Sequence, residues 1–116
     1  MKESDEAEEM MRLSGDELLR ALSALANPHR LRILAVLSGG RDYVSQLARE
    51  IQMSRPLLHM HLQRLEAAGL VVGKLELSDE GKAMKYYEVA PFAIRLTPAE
   101  IVEAVKTLKD GEGDEG

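Results

Sequence analysis

A chain of 116 residues supports one domain built on one modest core. It contains no cysteine, which excludes disulfides, thiolate metal sites and thiol redox chemistry. The net charge of −5 argues against a nucleic-acid partner only until it is divided: residues 1–17 carry two basic and seven acidic groups, 109–116 one and four, and the body between them is about +3.

Residues 1–13 are charge-rich and, with the Gly and acid run at 110–116, read as partly disordered ends whose plainest role is solvation. The acidic start lacks a signal-peptide pattern, and no apolar run approaches the roughly 20 residues of a membrane span. The expected location is therefore cytoplasmic, with no membrane partner. Ser14 and Glu17 then have capping-box spacing, and Leu18, Leu19, Leu22, Leu25 and Ala26 form an apolar stripe behind them, so a helix is expected over about 14–26. Asn27 as N-cap and Pro28 in the first helical position start a second helix to about Leu37, with Leu31, Ile33, Leu34 and Leu37 inside and Arg30 and Arg32 half exposed. Gly39 and Gly40 stop it. Arg41 to Tyr43 offers a short strand that could pair with a later hairpin.

Val44, Leu47, Ala48 and Ile51 repeat at i, i+3, i+4, i+7, which gives a third helix one apolar face. After a three-residue turn, Ser54 N-caps a fourth helix of about Arg55 to Ala68, with Pro56 tolerated in its first turn and Gly69 as a left-handed stop. A step of about 100° per residue puts Leu58, Leu62 and Leu65 on one side with His61 at its border. Pro56, His59, Met60 and Gln63 lie on the other, flanked by Arg55 and Arg64. A helix pair joined so tightly, with hydrogen-bonding and basic groups on the outer face of its second member, is built like a DNA reader. An ordinary helical domain also contains such pairs, and the next segment weighs against that reading.

Residues 70–90 hold two β-rich runs around Asp79-Glu80-Gly81-Lys82, a hairpin signal and hence a wing. Lys74, Lys82 and Lys85 are placed to meet phosphates, and the acidic tip makes the sides of the wing matter more than its end. Of Tyr86 and Tyr87, one must face outward, because neighbouring strand residues point to opposite faces. Pro91 to Leu96 reads as an extended crossing segment. Thr97, Pro98 and Glu100 repeat the helix-start signals, and the last helix, about 97–109, carries Ile101, Ala104, Val105 and Leu108 on one stripe. The predicted fold is α+β, mainly α: a winged helix-turn-helix domain over 14–109 with an added helix at each end.

The stretches LSALANPHRLRILAVLSGG, VSQLAREIQMSRPLLHMHLQRLEAAGLV and KYYEV, in that order and spacing, resemble the ArsR family of winged-helix transcription regulators across about residues 18–90. The resemblance implies a homodimer on a pseudo-palindromic operator, with Leu18, Leu22, Leu25, Ile101, Val105 and Leu108 as the subunit interface. A core this small leaves the outer sides of two amphipathic terminal helices uncovered, which fits; packing of both stripes within one monomer is the alternative. Two departures stand out. Where family members that sense metals resemble E-L-C-V-C-D-L, this chain reads RDYVSQL, with Tyr43 and Ser45 in the thiol positions, and the Asp and His ligands of the last helix are absent. No metal or other cofactor is expected. In the fourth helix only Ser54 and the His61-Leu62 pair match the family's S-x-x-x-S-x-H-L, so an operator sequence is not inherited.

The functional expectation is a homodimeric, sequence-specific transcription regulator bound to double-stranded DNA. Ser54, Arg55, His59, Gln63 and Arg64 would meet base edges or phosphates, and Pro56 and Met60 would offer apolar contact to thymine methyls. A small-molecule effector has no signature here. The alternative is a winged-helix module that binds protein in the transcription machinery through Leu57 and Met60. Catalysis is not expected, since no thiol or phosphate-cradling loop is present, His59 and His61 point apart, and Ser45 and Ser54 have no activating base.

Overall fold

A computed structural model describes residues 13–109, and the expectations for 1–12 and 110–116 lie outside the described residues. The elements run α1 (Gly15–Leu25), α2 (Pro28–Leu37), β1 (Asp42–Tyr43), α3 (Val44–Ile51), α4 (Arg55–Ala67), β2 (Val71–Leu77), β3 (Ala83–Val89) and α5 (Pro98–Val105). The capping signals are used as written. Ser14 Oγ accepts the Glu17 N–H at 3.1 Å while Glu17 Oε1 accepts the Ser14 N–H at 3.0 Å. Asn27 Oδ1 accepts from His29 and Arg30 at 2.9 and 3.1 Å, and Thr97 Oγ1 accepts from Glu100 at 3.2 Å.

The core is where α2, α3 and α4 meet the sheet. Ile33, Leu47, Leu58, Leu62, Leu65 and Leu70 are fully buried, with Val71 and Tyr87 closing the sheet side. Helix α1 reaches this core through Ala24, turning Ala21 and Ala24 inward and leaving Leu18, Leu19 and Leu22 toward α5.

Two expectations for α2 are overturned. Leu31 is 52% exposed, and Arg30 is 9% exposed rather than half out. The inward stripe of α2 is 30, 33, 34 and 37, so the arginine takes the first place of an i, i+3, i+4, i+7 series and Leu31 falls off it. The last helix also stops at Val105, short of residue 109. There the Thr107 hydroxyl donates to the Ala104 carbonyl at 3.0 Å and accepts the Gly15 N–H at 2.7 Å, so a bond to α1 takes over where the helix ends.

The three strands order β1-β3-β2, all antiparallel. Ser78 organises the hairpin turn, its N–H donating to Lys82 O at 2.9 Å and its hydroxyl accepting from the Glu80 and Lys82 N–H groups at 3.3 and 3.1 Å. Tyr87 is the inward tyrosine and Tyr86 the outward one, under the Arg41 guanidinium at 4.1 Å. Gly73 lies opposite Tyr87, and a Cβ there would sit 2.7 Å from the ring, so the missing side chain is what admits the tyrosine.

Between α3 and α4 the chain turns through Gln52 at φ 61, ψ 55, a left-handed conformation that glycine adopts at little cost. Gln52→Gly is therefore expected to raise stability by about 0.5–1 kcal/mol. Urea unfolding at fixed protein concentration measures it, and an unchanged or lower midpoint would mean that the turn carries no strain.

Candidate nucleic-acid interface

Helix α4 owes its position to its buried side. Leu58, Leu62 and Leu65 are each 0% exposed, and they fix which residues must face solvent. Arg55, Pro56, His59, Met60, Gln63 and Arg64 are all exposed on the other side. Thirteen residues make a rod of about 20 Å, long enough to lie in a major groove about 12 Å wide. Ser54, also exposed, spends its hydroxyl on the Leu57 N–H at 3.4 Å. Among the described residues, Arg55 and Arg64 have no carboxylate within ion-pair distance. Both guanidinium groups are thus available to an external anion.

His61, placed at the border by periodicity, is buried at 4% exposure and belongs to the interior of the domain. Its Nδ1 lies 3.1 Å from a terminal nitrogen of Arg30. Leu57 and Met60 are 42% and 38% exposed, so the face that carries the cations also carries two apolar side chains.

The three wing lysines do not form one row. Lys74 lies on the face of the sheet shared with Tyr43, Tyr86 and Glu88, and its ammonium is held 2.9 Å from the Glu88 carboxylate. That partner keeps its pKa above the ordinary lysine value, first through the hydrogen bond and then through the charge. Lys85 is on the opposite face, 5.5 Å above the Tyr87 ring. Lys82 lies in the turn beside Asp79 and Glu80, exposed.

A second cluster on the wing was not anticipated. The Tyr43 hydroxyl donates to Glu76 at 2.6 Å, Arg41 lies 3.5 Å from the same carboxylate, and Tyr43 meets Tyr86 edge-on. The tyrosine hydroxyl above all, and Arg41 beside it, hold Glu76 below the ordinary carboxylate pKa. Strand alternation puts Glu76, Lys74, Tyr86 and Glu88 on one face, so the signal was present once register was known. Among the described residues no group of three or more His, Asp or Glu could hold a metal ion, and no helix is long and apolar enough to cross a membrane.

Leu18, Leu22, Ile101, Val105 and Leu108 line one apolar groove of about 230 Å³ between α1 and α5. Leu19 and Leu96 join it, whereas Leu25 packs against the core instead.

The sequence profile of the bacterial regulatory protein arsR family matches residues 27–72, from the N-cap of α2 into β2. An uncharacterized HTH-type transcriptional regulator of Methanocaldococcus jannaschii is 34% identical over 96 residues, 83% of this chain and 96% of that protein. A crystal structure of a possible transcriptional regulatory protein from Mycobacterium bovis aligns with a TM-score of 0.58 at 33% identity, over 65% of this chain and 75% of that one. A solution structure of a homodimeric winged helix-turn-helix DNA-binding domain from the same organism, possibly an ArsR-family regulator, aligns with a TM-score of 0.55 at 26% identity, over 87% and 85%.

Proposed function

The chain belongs to the arsR family of bacterial regulatory proteins, transcriptional regulators with a winged helix-turn-helix DNA-binding domain, and from that premise we propose that it works as a homodimer whose paired α4 helices read an operator in successive major grooves. The observation that carries this reading is the two-sidedness of α4. One side is sealed by three fully buried leucines, and the other presents two arginines that have no carboxylate partner among the described residues, with His59, Met60 and Gln63 between them. Arginine and glutamine are the side chains that pair bidentately with guanine and adenine, and Pro56 and Met60 suit thymine methyls. Ser54 and Arg55 lie at the helix start beside the phosphates.

The hairpin supports α4 from the backbone side, chiefly through Lys82 and Lys85, since Lys74 must first give up Glu88. Exchange of a 2.9 Å partner for a phosphate returns less energy than a free ammonium would gain. Pairing about the α1–α5 groove sets the two α4 helices about 34 Å apart, one turn of the duplex. The relative's homodimeric state and the uncovered apolar groove both favour this arrangement. It acts in the cytoplasm and needs no cofactor.

Selection of bound genomic fragments, followed by titration of the winner between 50 and 200 mM salt, tests the proposal. Affinity is expected to fall steeply with salt. Arg64→Ala is expected to cost about 1–3 kcal/mol if the residue reads a base, or to reduce the salt slope by about one if it meets a phosphate. Unchanged affinity and slope would make Arg64 a mere surface charge. Leu57 and Met60 favour a second reading, a protein partner on the same face, and absence of duplex binding even at 50 mM salt would select it.

A further inference from the structure

The buried contact between Arg30 and His61 joins three helices, and nothing in the proposed reading of DNA uses it. Arg30 Nε donates to the Ala24 carbonyl at 2.7 Å, and one terminal nitrogen donates to the Ser23 carbonyl at 3.4 Å. These oxygens belong to the last turn of α1, where a cation is favoured; the Ser23 carbonyl also accepts the Ala26 N–H at 3.3 Å, and Arg30 adds a second donor to it. The other terminal nitrogen reaches His61 Nδ1 in α4 at 3.1 Å. A guanidinium can only donate, so Nδ1 must be the acceptor, and the imidazole is neutral with its proton on Nε2.

The surroundings of His61 favour that neutral form. The groups acting on it are Arg30 and His29 from α2, the latter with its ring 5.5 Å away, and Arg64 one turn along α4. From α1 the Ser23 and Ala24 carbonyls face Arg30. Among the described residues the ionisable groups that act on His61 are all bases. Burial first, and the Arg30 charge after it, hold the imidazole below its ordinary pKa. A proton arriving at Nδ1 would turn the acceptor into a donor facing another donor, and place two like charges about 3 Å apart.

We propose that Arg30 is a positioning residue for DNA recognition: through His61 Nδ1 it latches α4 to the C-terminal end of α1, and protonation of His61 opens the latch, so that operator binding weakens in mildly acid solution. This rests on the homodimeric DNA reading above. Helix α1 lines the groove about which two subunits would pair, and α4 carries the reading face. The angle between them therefore sets the spacing of the two reading helices. Hydrogen bonds to base edges tolerate only about 0.5 Å of displacement, so release of α4 from α1 costs specific binding more than it costs non-specific attraction to phosphates.

His59 is a second imidazole, exposed on the reading face, and any charge it carries acts on phosphate directly. The test is therefore made by difference on the full chain, with and without a substitution at His61, with the selected operator duplex and a random duplex of equal length, so that His59 acts equally on both sides of the comparison. The ratio of the two affinities is measured between pH 8 and pH 5.5. For the unsubstituted chain it is expected to fall several-fold as the pH drops, because the proton binds more readily once Nδ1 is released from Arg30. The His61→Asn chain, whose amide oxygen stands at the δ position of the imidazole acceptor and accepts from Arg30 without titrating, is expected to give a flatter profile, and Arg30→Met a flat and low one. A fall with His61→Asn as large as that of the unsubstituted chain would overturn the inference while leaving the DNA reading intact. No duplex binding by the unsubstituted chain at pH 8 would overturn both. Without DNA, NMR titration of the His61 ring is expected to move the Ala24 and Leu25 amide signals in step, and to lose that coupling in Arg30→Met; a ring that titrates without moving them sinks the latch itself.

Discussion

Replacing Arg30 with methionine is expected to destabilise the folded chain by about 2–4 kcal/mol, although methionine keeps much of the apolar length of the side chain. The guanidinium serves three acceptors, at 2.7, 3.1 and 3.4 Å; the substitution takes the donor from the Ala24 carbonyl and from the imidazole nitrogen, while the Ser23 carbonyl keeps the Ala26 N–H at 3.3 Å. Hydrogen bonds from a charged donor contribute about 1.5–3 kcal/mol each, and relief of the guanidinium's own burial offsets part of their sum. For a domain of this size the midpoint of thermal unfolding should fall by roughly 10–25 °C, read by circular dichroism at one fixed protein concentration because self-association would raise it. A change below about 0.5 kcal/mol, the level of an ordinary surface substitution, would show that the latch adds nothing that apolar packing does not. Arg30→Lys should recover only part of the loss, since an ammonium is a point donor and cannot fork between α1 and α4.

The second large effect concerns the groove between α1 and α5. Ile101 and Val105 are 46% and 55% exposed in the single chain, so the double substitution Ile101→Glu with Val105→Glu leaves its carboxylates hydrated and the winged domain folded. Against a twin surface the same carboxylates would be buried without partners. Loss of two apolar anchors in this way is expected to weaken self-association by at least 3 kcal/mol, about a hundredfold or more. Sedimentation should find a monomer with the circular dichroism of the parent, and operator affinity should drop because a monomer holds one half-site. A double variant that still sediments as the parent dimer would place the subunit contact elsewhere. The two helices are prepared to act as one surface. Gly15 lies so close to the end of α5 that a Cβ there would collide with the Ala104 carbonyl and sit 2.8 Å from Leu108, and the Gly15 N–H donates to Thr107 at 2.7 Å.

Local signals in the chain were enough for the elements and for the exposed face of α4. Ser14 with Glu17, Asn27 with Pro28, Ser54 with Pro56 and Thr97 with Pro98 mark the starts of helices because they satisfy N–H groups within three residues of themselves. Leu58, Leu62 and Leu65 expose the opposite side of α4 by rotation alone, which is why Arg55, His59, Gln63 and Arg64 could be named from spacing. The stripe at 30, 33, 34 and 37 was equally legible, but hydropathy places an arginine in water, and its inward position is stable only with acceptors six, seven and 31 residues away. Lys74 tells the same story across the hairpin. From sequence it is one of three wing lysines, yet register turns it toward Glu88 and sends Lys85 to the other face. What the chain determined by itself, then, is whatever a residue does with its near neighbours: caps, faces, turns and the outward row on α4. The tertiary structure alone decided which charges are buried or already paired, because solvation favours an exposed charge until folding brings a distant partner within about 3 Å.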